Sequence, residues 1–262
     1  MRQELINSYF IQSVSAKKHL LQSVCFVLLI AFLTSISPAH AYLPTHTDAT
    51  ASTPLDLTLP RLGQKATFAK RGFLQGVKAF NDKDFYRAER ILLPLAQGGY
   101  RKAQFMLGVL YESASNDRYK AVHWYLRAAE QGDANAQHSI GLAYARGLGV
   151  KKNVPKAIKW WQAAGFKGNS DSQYNLGIIY ATGSKGVKQD YIKAKHWWLM
   201  AASSGDALAQ YNLGAMYANG VAGQQSYCEA ARWWLKSQSN GFNQANIALK
   251  NLQNRLNKLN CH

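Results

Sequence analysis

The residues of this chain best suited to act as nucleophile, base or metal ligand are seven histidines and three cysteines, and their spacing supports none of those roles. His138 and His196 have no carboxylate recurring beside them, and neither Cys228 nor Cys261 has the Cys/His neighbours of a zinc site. The one Ser-x-x-Lys pair, Ser15 with Lys18, falls in an N-terminal stretch that reads as a removable signal. Without nucleophile-base spacing the chain is not expected to be an enzyme, and it calls for no metal or cofactor. The chemistry that does recur is recognition. Asn175 and Asn212, with Ser139 at the equivalent earlier position, offer a donor and an acceptor on a short arm, suited to a peptide backbone amide. Each is preceded by a ring, His138, Tyr174 or Tyr211, and Phe105 stands at the same point one unit earlier. A basic row, Arg87, Lys120, Lys156 and Lys193, recurs at a second fixed point until Glu229 breaks it, with Lys151, Lys152, Lys185 and Lys188 between.

The elements that must position these side chains follow from an internal repeat. All seven tryptophans sit at one point of it: Trp124 beside Tyr125, then the pairs Trp160 and Trp161, Trp197 and Trp198, Trp233 and Trp234. Gly108, Gly141, Gly177 and Gly214 recur at intervals of 33, 36 and 37 residues, each followed three positions later by Tyr111, Tyr144, Tyr180 or Tyr217. A period in this range marks a helical solenoid, whose units bury their apolar faces only by stacking. Each unit divides into a helix A around the glycine and a helix B around the tryptophan pair. A glycine inside a helix costs about 0.5 to 1 kcal/mol against alanine, so its recurrence predicts a second helix approaching closely there. Glycines eight residues after the first aromatic, Gly132, Gly168, Gly205 and Gly241, predict the ends of helix B. Adjacent helical residues point about 100° apart, so at least one tryptophan of each pair packs between helices rather than stacking on a sugar or base. The fold expected is all-α, with one divergent and four recognisable hairpins over residues 66–242 and an amphipathic capping helix over 243–262.

The N-terminus reads differently. Lys17 and Lys18 precede an apolar stretch from Leu20 to Ile36, and Ala39-His40-Ala41 has small residues where a signal peptidase looks, so residues 1–41 are read as a signal peptide. An uncleaved anchor is the alternative, but Gln22, Ser23, Thr34 and Ser35 interrupt a stretch shorter than the roughly 20 residues of a spanning helix. No stable membrane span is expected once the signal is removed. Residues 42–65, with Pro44, Pro54 and Pro60, read as a flexible linker. Cleavage leaves 28 basic and 13 acidic residues, a net charge of +15 that favours acidic partners. It also leaves Cys228 and Cys261, which in an oxidising compartment either pair, tying the last helix to the last hairpin, or remain two thiols. The location expected is the periplasm or the exterior of a bacterial cell.

Taken together, the Leu-Gly-x-x-Tyr stripes, the alanine three residues before each aromatic pair, and stretches such as RAAEQGDANAQ (127–137) resemble the Sel-1-like repeat family, a branch of the tetratricopeptide superfamily. The resemblance covers about residues 68–250. It implies a right-handed α-solenoid of stacked antiparallel helix pairs in which helix A lines a concave groove for protein segments. On that reading Phe105, His138, Ser139, Tyr174, Asn175, Tyr211 and Asn212 face the groove, and a protein segment is the expected partner. The alternative is an anionic envelope polymer along the basic edge; nucleic acid is not expected. A β-lactamase-like activity described in a cysteine-rich branch of the family finds no support here, because this chain lacks paired cysteines in each repeat. Two departures from the pattern are the short turn SASNDRY (113–119) and the run Ser237-Gln238-Ser239.

Overall fold

A computed structural model describes residues 62–259, with side chains from 67 to 253. The proposed signal, residues 42–61 and Cys261 lie outside the described residues. Eleven α-helices are present among those described, and no strand beyond a single bridge between Ser184 and Val187. They are α1 (Leu62–Asn81), α2 (Phe85–Gln97), α3 (Arg101–Ser113), α4 (Arg118–Glu130), α5 (Ala134–Arg146) and α6 (Val154–Gly165), followed by α7 (Ser170–Thr182), α8 (Tyr191–Ser203), α9 (Ala207–Asn219), α10 (Tyr227–Ser239) and α11 (Gln244–Leu259). The odd-numbered helices from α3 to α9 are the A helices, and each packs on the B helix that follows it. Successive A helices also touch, α5 on α7 and α7 on α9. The chain is thus an α-solenoid of stacked helix pairs.

Local sequence sets where these helices begin and end. Each helix B starts behind a residue whose side chain accepts a hydrogen bond from a backbone N–H of the first turn: Asp84, Asp117, Asn153, Asp190 and Ser226. Such caps satisfy donors that an α-helix leaves unpaired. Three of the A helices are also capped by acidic or amide residues, Asp133, Asn169 and Asp206. After every helix B a glycine adopts the left-handed conformation, with φ of 87° at Gly99, 85° at Gly132, 87° at Gly168, 85° at Gly205 and 88° at Gly241. The next residue then turns its N–H back onto the helix, as Asp133 does to the Ala128 carbonyl at 3.0 Å.

The recurring glycines of the A helices are where the two helices of a hairpin meet. A methyl group built on Gly108 would collide with the Tyr125 ring, and one on Gly141, Gly177 or Gly214 with the indole of Trp161, Trp198 or Trp234. The close approach inferred from glycine is therefore present in every hairpin, and the second aromatic of each pair makes it. Its indole N–H donates to the carbonyl three residues before the glycine: Trp161 to His138 at 3.2 Å, Trp198 to Tyr174 at 3.3 Å, Trp234 to Tyr211 at 3.0 Å. Tyr125 has no indole donor, and its hydroxyl donates to Glu112 at 2.7 Å instead.

Neighbouring hairpins are joined by a residue that periodicity alone does not flag. Gln104, Gln137, Gln173 and Gln210 are buried, and each donates to a carbonyl eight residues back, on Ala96, Ala129, Gly165 and Ala202. Each bond crosses from an A helix to the end of the preceding B helix, where it adds a second donor to a carbonyl that already takes the N–H of the turn glycine. Ser237, one of the two departures from the pattern, stands where earlier hairpins have alanine, and its hydroxyl donates to the Ala207 carbonyl at 2.6 Å. Over the last hairpin α11 packs Ala245 and Leu252 against Tyr211 and Trp234, as a cap would.

Candidate functional site

The structure divides the seven candidate groove residues. Tyr174, Tyr211 and Asn212 are buried, at 1%, 7% and 1% exposure. Tyr211 packs against Trp234 and, in the turn before α11, Phe242 with centroids 5.0 Å apart. The Asn212 amide nitrogen is enclosed without an acceptor. These three correct the expectation that both columns face a groove. For the two tyrosines the physical reason is direction: the residue three before the glycine supplies the carbonyl that the indole N–H reaches. Its side chain then points toward the following hairpin, as His138 shows by bonding Ser172 at 2.9 Å. Phe105, His138, Ser139 and Asn175 are half-buried, and Phe105 tilts against Tyr125 at 5.7 Å.

What remains accessible on the A helices is a different stripe. Ser139 and Asn175 lie two residues before their glycines; Leu142 and Ile178, one after, are half-buried; Arg146 and Thr182, five after, are exposed. Spacings of three and seven place them on one helix face. Val109 and Ala215 continue the apolar position in the outer hairpins. Because α5, α7 and α9 touch in succession, the stripe runs from one hairpin to the next. Ser139 and Leu142 also line a small cavity of about 40 Å³ with Val122, Tyr125 and Leu148. The apolar position went unnoticed in the sequence because its residues look like ordinary core. Their partial burial is the signal that sets them apart.

The basic row is positioned by the same turns but is not a free edge. In each hairpin the N–H of the capping residue reaches the carbonyl of the repeated tyrosine, as Asp117 to Tyr111 at 2.8 Å and Asp190 to Tyr180 at 2.7 Å. This places the lysine three residues later above that ring: Lys120 lies 5.1 Å from the Tyr111 centroid, Lys156 5.4 Å from Tyr144 and Lys193 5.6 Å from Tyr180. The capping carboxylates then pair with the ammonium groups, Asp117 with Lys120 at 3.6 Å and Asp190 with Lys193 at 3.0 Å. The backbone and side-chain hydrogen bonds from Lys193 hold the Asp190 carboxyl below its usual range, and the same contact raises the Lys193 ammonium. Lys120 and Lys193 therefore have a local partner that offsets their conflict with the helix dipole. Among the described residues no group of three His, Cys, Asp or Glu side chains is placed to hold a metal ion, and no helix is long and apolar enough to cross a membrane. Cys228, on the first turn of α10, is disulfide-bonded; its partner lies outside the described residues.

Comparison with known proteins agrees with this architecture. The Sel1 repeat model matches residues 101–133, 134–169, 170–206 and 207–241, so each match begins at or within one residue of an A helix. The solved structure of a protective antigen of uropathogenic Escherichia coli, described as displaying an SLR fold, is similar with a TM-score of 0.68 and 30% identity. That match covers 72% of this chain and 42% of that one. A Sel1 repeat protein from Oxalobacter formigenes gives a TM-score of 0.65 and 28% identity over 69% of this chain and 75% of the other. Among curated proteins, the rat DAP3-binding cell death enhancer 1 is 35% identical over 81 residues, 30% of this chain and 16% of that protein. The Arabidopsis thaliana HRD3A component of an ERAD-associated E3 ubiquitin-protein ligase is 32% identical over 87 residues, 32% of this chain and 12% of that protein. The chain thus spans about a sixth or less of these curated relatives. Sel1 repeats serve in general as scaffolds for protein interaction. With four consecutive repeats matched over more than half its length, this chain belongs to the Sel1 repeat family.

Proposed function

We propose that this protein is an exported, non-enzymatic scaffold that holds a segment of a protein partner along the A helices. The observation that carries this reading is the half-buried stripe of Ser139, Leu142, Asn175 and Ile178, continuous between hairpins and mixing amide and hydroxyl groups with apolar contact area. A peptide laid across it would find hydrogen-bonding groups and apolar surface in alternation, and the A-helix face is the concave one in the superfamily it resembles. The similarity to a DAP3-binding protein and to a ligase component supports a protein rather than a small molecule as the partner. The stripe leaves out Tyr174, Tyr211 and Asn212, which are buried.

The combined Leu142→Glu and Ile178→Glu variant, compared with Ile192→Glu on the exposed side of α8, tests the surface. In-cell crosslinking should lose the partner in the first variant and keep it in the second. Equal crosslinking in both would remove the stripe as the binding face. The reading also places the protein in the periplasm or outside the cell after removal of residues 1–41. N-terminal sequencing of protein recovered from an envelope or culture fraction should then begin at Tyr42. Recovery with Met1 in place would replace export of a free chain with anchoring.

A further inference from the structure

The basic row has one member whose surroundings differ. In the hairpins on either side the residue capping helix B is an aspartate that pairs with its lysine, but before Lys156 the cap is Asn153. Asparagine caps the helix as well as aspartate, its carbonyl oxygen accepting from the Lys156 N–H at 2.9 Å. It supplies no negative charge. Lys151 and Lys152 immediately precede it, and none of the ion pairs among the described residues involves any of the three lysines.

These groups border a pocket of about 420 Å³ lined by Tyr144, Val150, Lys151, Lys152, Asn153 and Lys156, with no acidic residue among them. The volume falls in the range of ligand-binding clefts. Its walls are held in place. Gly147 and Gly149 take φ of 77° and 67°, values that glycine adopts freely, and a side chain at Gly149 would run into the Arg118 backbone of the preceding hairpin. The Asn153 N–H bonds the Tyr144 carbonyl at 2.8 Å, fixing the loop to α5. The cluster is therefore a concavity lined by three lysines and Tyr144, over whose ring the Lys156 ammonium lies at 5.4 Å, beside the N-terminal end of α6, where the helix dipole adds positive potential.

We infer that this pocket takes the clustered carboxylates of an acidic protein segment. An exposed ion pair is individually weak, so a single carboxylate would gain little. Two or three on adjacent residues engage all three lysines at once and displace none of the fold's own pairs. Lysine suits this task, because its ammonium is a compact point charge that does not demand the bidentate geometry of a guanidinium site. The inference rests on the scaffold reading for its occupant, a protein segment, but not on the A-helix stripe. It also confines anion binding to one hairpin, in contrast to a polymer spread along the whole edge.

The test is fluorescence anisotropy with the purified protein and a labelled peptide of three consecutive aspartates, its asparagine counterpart, and pyrophosphate as competitor, at about 50 mM salt, where charge screening is modest. Asn153→Asp restores the capping carboxylate that the neighbouring hairpins already tolerate, so its fold is safeguarded; Lys151→Gln with Lys152→Gln removes charge from an exposed turn. Both should weaken the acidic peptide about tenfold or more, while Lys185→Gln with Lys188→Gln in the next turn should change it less than about twofold, and the asparagine peptide should not bind. Three outcomes overturn the inference: equal loss in the Lys185 and Lys188 variant, which means diffuse charge attraction; pyrophosphate binding without peptide binding, which means a phosphate site; and peptide binding abolished only by Leu142→Glu with Ile178→Glu. The last would leave the scaffold reading standing and the pocket without a role.

Discussion

Trp198→Ala is expected to destabilise the protein by about 3 to 5 kcal/mol, the range for emptying a large aromatic site in a packed core. Trp198 is the largest fully buried side chain among the described residues. It fills the space above Gly177, and its indole N–H donates to the Tyr174 carbonyl at 3.3 Å. Alanine removes the buried area, opens a cavity between two helices and takes away the side-chain hydrogen bond that joins them. Against a total stability of about 5 to 15 kcal/mol such a loss is a large fraction, and for a domain of this size it corresponds to a fall of roughly 6 to 20 °C in Tm. Thermal and urea denaturation followed by circular dichroism would measure it, with Trp160→Ala, at a half-buried site, as the milder comparison. A change below about 1 kcal/mol would mean that the indole is not the wedge holding the hairpin.

Gly177→Ala is the second large effect, and its sign is decided by two opposed terms. Alanine in place of glycine favours an exposed helix by about 1 kcal/mol. Here the added methyl collides with the Trp198 indole, so the indole must move, at an overpacking cost of about 1 to 3 kcal/mol and with loss of a hydrogen bond worth about 1 kcal/mol. Packing outweighs propensity, and the variant should lose about 2 kcal/mol net. In a Trp198→Ala background the obstacle is gone and only propensity remains, so the same substitution should become neutral or stabilising by up to about 1 kcal/mol. Urea denaturation of the four proteins of this cycle gives the coupling directly. Additive effects would show that glycine and tryptophan do not meet.

The comparison with sequence follows from these two residues. Gly177 and Trp198 announce the hairpin because each is costly or bulky in isolation and both recur at a fixed interval, so fold, repeat boundaries and the glycine contact could all be read in advance. Gln173 could not, because an amide in a helix looks like solvent-facing surface until the preceding hairpin is laid against it. Tyr174 and Asn212 were misplaced for a related reason. Helical periodicity tells which residues share a face, but whether that face meets water or the next hairpin depends on neighbours about 35 residues away. The pairing of Lys193 with Asp190 carried a local clue: an aspartate three positions upstream is a helix cap, and a cap brings its charge beside whatever stands at that third position. The Asn153 exception in that column was equally present in the chain, and only the pocket around it gives it meaning.

The two kinds of fastening differ in ownership. The aromatic wedge is complete within a single hairpin, whereas the glutamine clasp needs nothing from its predecessor except a backbone carbonyl, which any sequence supplies. A duplicated hairpin therefore arrives with its own wedge and a clasp that reads only backbone, while side-chain contacts such as Phe166 with Trp197 and His138 with Ser172 still have to match across the junction. Each such unit would lengthen the face of the A helices by one whole-hairpin step.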